Sequence, residues 1–97
     1  MTQEAIPNAP PRGLVQFDIV VARGFVLTEV AAVVDALRIA NRVTARPLFQ
    51  WNYRSQQGGL VESLSRAIVD TAPVEDRPAA DYLFVIGNSN QDEANLR

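Results

Sequence analysis

Cysteine, histidine and lysine are all absent from the 97 residues. Without cysteine no disulfide can form, and zinc sites built on thiolate or imidazole are excluded. Nucleophilic dyads and triads that rely on a histidine base are excluded with them. The missing lysine leaves nine arginines against eleven acids and a net charge of −2. Arg12, Arg23, Arg38, Arg42, Arg46, Arg54, Arg66, Arg77 and Arg97 are scattered along the chain, whereas a phosphate-neutralising surface needs them clustered. Direct nucleic-acid binding by this segment is therefore not expected. Long apolar runs are lacking too. None approaches the roughly 18–20 residues of a membrane helix, and residues 1–12 lack a basic start and apolar middle. A cytoplasmic location with no membrane partner is the expectation.

What is present is ordinary globular material, 47% hydrophobic and 21% charged, far from disordered compositions. Residues 1–13 carry Pro7, Pro10 and Pro11 and read as a disordered lead-in to a single partial domain over 14–97. Residues 14–22 (LVQFDIVVA) form a β-branched apolar run that predicts a strand buried on both faces, as in a parallel sheet. Arg23-Gly24-Phe25 breaks it, with Gly24 at the turn.

Residues 28–45 predict the main helix, capped by Thr28, with Glu29 in a first turn that suits negative charge. Val30, Val33, Val34 and Leu37 make one apolar stripe. Ala32, Ala36, Ile39 and Val43 make a second, on another face. Asp35, Arg38 and Arg42 share the polar side, where Asp35 and Arg38 can pair across one turn. Two apolar faces imply packing on the sheet and on something else, either a partner subunit or a neighbouring helix.

Arg46-Pro47 ends the helix. Residues 48–55 then alternate Phe49, Trp51 and Tyr53 with polar residues, a strand with one aromatic face. Strand, helix and strand with a short link predict a right-handed parallel βαβ unit. After the Gly58-Gly59 turn, residues 60–72 read as a short β-excursion, and residues 73–80 as a link with room for one helical turn. Residues 81–87 (DYLFVIG) predict a further buried strand. The tail from 91 reads as an undeveloped helix start. The sum is three core strands and one full helix in an α/β fold.

The succession GFVLTEVAAVVDALRIANR, PLFQW, a Gly-Gly turn and DYLFVIGN resembles the opening of the ThiJ/PfpI-like (class I glutamine amidotransferase-like) domain. The closest likeness is to the form fused to AraC-type regulators, often called GlxA-like, and it covers about residues 14–90. The resemblance implies the N-terminal half of a partial flavodoxin-like (Rossmann-like) parallel sheet. It implies pairing of subunits through the early helix, and DNA contacts made by a helix-turn-helix portion that lies beyond these residues. The family's nucleophile elbow would also follow them. The positions where its assisting acid could fall, Val26 and Leu27, are apolar; Arg23 replaces a proline, and Asn88 the second glycine of a terminal pair.

The functional expectation is a non-catalytic sensor or dimerisation segment of an AraC-family regulator, truncated before the helix-turn-helix. It would be a homodimer, with no cofactor, no metal and an unidentified small-molecule effector. A fragment of a ThiJ/PfpI-type hydrolase, amidase or glyoxalase-like enzyme is one alternative, and a degenerate stand-alone interaction module another. No residue is assigned a catalytic role, and Glu29 is read as a helix-start acid rather than a general base.

Ligands of parallel α/β sheets sit at the carboxyl ends of strands. This makes Gly24, Phe25, Gly87, Asn88 and Ser89 the ligand-site candidates. A turn glycine beside a core phenylalanine, and a plain turn at 87–89, are the structural readings of the same residues. Ala32, Asp35, Ala36, Arg38, Ile39 and Arg42 are the interface candidates, with a solvated helix face as the alternative. The aromatic face of Trp51 is read as half-buried strand rather than a base-stacking platform. A half-sheet exposes apolar faces and an edge, so the isolated chain is expected to associate or to be partly ordered.

Overall fold

A computed structural model describes residues 13–88. The lead-in at 1–12 and everything beyond 88, including the candidate Ser89, lie outside the described residues. The chain runs β1 (Val15–Val20), α1 (Leu27–Thr44), β2 (Phe49–Ser55), β3 (Gly59–Glu62), β4 (Ile68–Pro73) and β5 (Tyr82–Val85). All five strands join one sheet in the order β3-β4-β2-β1-β5. β1 pairs in parallel with β2 and with β5, β2 pairs in parallel with β4, and only β3 is antiparallel. The architecture is α/β: a mixed, mostly parallel sheet with one helix.

The βαβ unit expected from the alternation at 48–55 is present. Its register sets Phe17 beside Trp51 and Tyr82, and Ile19 beside Tyr53 and Phe84. Residues opposite one another in a sheet share a face. Phe17 therefore stacks on Tyr82 and Phe84 at 5.5 Å between centroids, and meets Phe49 at 5.9 Å. Against the same face lies the first helical stripe: Val30 and Leu37 are buried, and Val33 and Val34 pack on the core. The centre of that core is Phe25, Ile19 and Val21, all almost sealed from solvent.

The helix differs from expectation at its start. Thr28 is not the cap. Val26 holds that position without a side-chain hydrogen bond, and its carbonyl accepts from the Glu29 and Val30 amides. The Val26 amide donates to the Gly87 carbonyl at 3.0 Å, tying this terminus to the end of β5. At the other end Ala45 turns left-handed (φ 57). Asn41 then locks helix to strand: its side chain donates to the Phe49 carbonyl at 2.9 Å and accepts from the Phe49 amide at 2.8 Å.

Three further corrections concern the sheet. The excursion at 60–72 is a β3–β4 hairpin, and β4 adds a parallel strand beside β2, so the sheet has five strands rather than three. Residues 74–81 contain no helical turn; they form a loop that ends with the Asp81 amide on the Gln16 carbonyl at 2.8 Å. Finally, β5 is not buried. All four of its residues are exposed, Val85 to 76%, because β5 is the sheet's edge among the described residues and no described helix covers it.

Nor is β1 apolar on both sides. Away from the helix it presents Gln16 and Asp18, and on the same face β2 presents Gln50, Asn52 and Arg54. Gln16 and Gln50 join at 3.0 Å. Asp18 is buried, and its Oδ1 lies 3.4 Å from Arg54 Nε, an ionic contact without hydrogen-bond alignment. Arg54 Nη1 also donates to the Pro73 carbonyl at 3.2 Å.

Candidate functional site

The carboxyl ends of the parallel strands converge where β1 gives way to α1. Gly24, buried and left-handed at φ 84, turns the chain out of the sheet. Its amide donates to the Glu62 carbonyl at 2.8 Å, and the Phe25 carbonyl accepts from Leu64 at 2.9 Å. β4 and β2 lie between β3 and β1 in the sheet, so these bonds bring the β3–β4 hairpin back to the carboxyl end of β1. Phe25 is bridged to Ser63 on one side and to Asn88 on the other. The Asn88 side chain donates to the Arg23 carbonyl at 2.5 Å.

Gly24, Phe25, Gly87 and Asn88 are thus brought together. Their chemistry is structural at two points. The Phe25 side chain is fully buried at the centre of the core and offers no surface to a ligand. The Gly87 amide, a candidate anion donor, donates to Glu29 Oε1 at 2.7 Å. A Cβ at position 87 would come within 3.0 Å of both Glu29 oxygens, so the absence of a side chain lets the carboxylate approach. This strand end holds a carboxylate already, supplied by the first turn of α1.

Residue-by-residue reading of Glu29 missed that contact. The available signal was topological: in a parallel sheet the start of each following helix lies at the carboxyl end of its strand, beside the ends of neighbouring strands. Glu29→Ala should free the Gly87 amide and cost about 1 kcal/mol, the ordinary worth of such a bond. Urea denaturation checks the loss. Faster hydrogen exchange at Gly87, with the centre of β1 unchanged, checks its location.

Beside this junction lies a cleft of about 870 Å³. Its walls are the ends of β1 (20–23), β2 and its turn (55–58), β3 (60–62) and β5 (85–86), with Val74. Numbering only the four parallel strands, their order is third, second, first, fourth, so the order reverses between β1 and β5. Crevices at such reversals are where open α/β sheets take ligands. Among the described residues, no three Asp or Glu side chains gather as a metal site would require.

The six interface candidates occupy the outer side of α1. Ala32, Asp35, Ala36, Arg38, Ile39 and Arg42 are all exposed, as is Val43. Arg38 and Asp35 meet at 3.5 Å on this surface. No described helix is long and apolar enough to cross a membrane. Set against protein-family models and against curated proteins, the chain matches none.

Proposed function

We propose that this chain is a non-catalytic, ligand-sensing and dimerising segment of an AraC-type, GlxA-like transcription regulator, built on a partial flavodoxin-like (Rossmann-like) sheet. The observation that carries the reading is the 2.7 Å bond from the Gly87 amide to Glu29. The acid best placed at the strand ends is tied to the backbone, and the sequence supplies neither thiol nor imidazole for it to activate. A cleft at the strand-order reversal supports sensing. The exposed stripe through Ile39 and Val43 supports pairing of subunits along α1.

The purified chain is expected to show no operator-specific DNA binding by fluorescence anisotropy and no turnover of esters, amides or methylglyoxal. Sedimentation is expected to show a dimer that Ile39→Asp shifts towards monomer at least tenfold. High-affinity operator binding by these residues alone would refute the reading. So would turnover that Glu29→Gln abolishes.

A further inference from the structure

The polar groups in the wall of the strand-end cleft divide into those already engaged and those that are not. The Ser55 hydroxyl meets Thr71 at 2.6 Å and accepts from the Gly58 amide at 3.0 Å. The Glu62 carboxylate faces Arg66 at 3.9 Å. Arg23 is the cleft's one cation, is exposed, and forms no ion pair among the described residues. Gln56 and Gln57 also line the cleft and are exposed. With Arg66 lying against Glu62, the positive charge of Arg23 is left without an ion-pair partner, in a cleft that also offers two amides able to donate.

The rest of the lining is apolar and open. Leu60, Val74 and Val85 are 72%, 41% and 76% exposed around the mouth. The volume suits a small molecule. A cationic ligand would meet Arg23, and a wholly apolar one would leave the guanidinium facing it without compensation. We propose that the cleft takes a small organic carboxylate with an apolar body, the carboxylate against Arg23 and the body against Leu60, Val74 and Val85. This names a ligand class for the sensing role proposed above and rests on that reading. It places the ligand beside, not on, the Gly24–Asn88 junction.

The test compares 4-phenylbutyrate with its neutral primary amide on the full chain, following backbone amide shifts by NMR. The carboxylate should bind at least about tenfold more tightly, the lower end for a charge-assisted hydrogen bond. Shifts should concentrate at residues 20–23, 56–58 and 85–86. Arg23→Gln should erase the preference and Arg23→Lys should keep part of it. Arg46→Gln, exposed before the start of β2 and outside the cleft wall, should leave it intact and controls for changes in folding. Equal binding of acid and amide, no binding of either at millimolar concentration, shifts elsewhere, or a preference that survives Arg23→Gln would each overturn the ligand class. Those outcomes with a turnover-free dimer overturn only the ligand class, whereas operator binding or catalysis removes the sensing role itself.

Discussion

Phe25→Ala should destabilise the fold by about 3–5 kcal/mol, the range for removing a buried aromatic side chain. Phe25 is fully buried and belongs to one core cluster with Ile19, Val21, Val30, Val61 and Ile86, drawn from strands, helix and hairpin alike. Its backbone is bridged to Ser63 and Asn88, so the surroundings are pinned and cannot collapse readily into the space left behind. Domains of this size are stable by only about 5–15 kcal/mol, so the variant should lose much of its cooperative transition. Denaturant melts followed through Trp51 fluorescence would show this. Phe25→Leu, which keeps most of the volume, should lose markedly less. A cost below about 1 kcal/mol for the alanine variant would mean that the core does not centre there.

Arg54→Met should be nearly as damaging, at about 3 kcal/mol. The Asp18 side chain is only 6% exposed, and Arg54 is its one cationic partner among the described residues. Removing the guanidinium strands a buried carboxylate, and that penalty exceeds the net worth of the pair. The decisive variant is the double one. Asp18→Leu with Arg54→Met replaces both charges by apolar groups and should return stability to within about 1 kcal/mol of the parent. If Arg54→Met alone proves mild, water reaches Asp18 and the pair is screened. If the double variant is as poor as the single, the loss comes from the Arg54 bond to the Pro73 carbonyl instead.

Local pattern accounts for the parts of the molecule whose partners are near in sequence. The stripe through Val30, Val33, Val34 and Leu37 marked the face of α1 that packs, and the alternation at Phe49, Trp51 and Tyr53 marked β2 and the face it turns to the helix. Asp35 and Arg38, three residues apart, pair as their spacing requires. Features set by register were hidden. Asp18 and Arg54 are 36 positions apart, and only the parallel offset of β1 and β2 brings them onto one face. Glu29 and Gly87 are 58 apart. The run YLFV has the composition of a buried strand, but burial depends on what lies alongside, and no described element covers β5. Thr28 has the chemistry of a cap, but the helix begins before it, with Val26 in the cap position.

The open rim of the sheet and the entrance to the helix are fastened at one point. β5 leads through Ile86 to the amide that Glu29 holds, and the next residue crosses Phe25 and grips Arg23 through its side chain. The sheet's edge, the crevice beside Arg23 and the first turn of α1 therefore meet at one knot of hydrogen bonds.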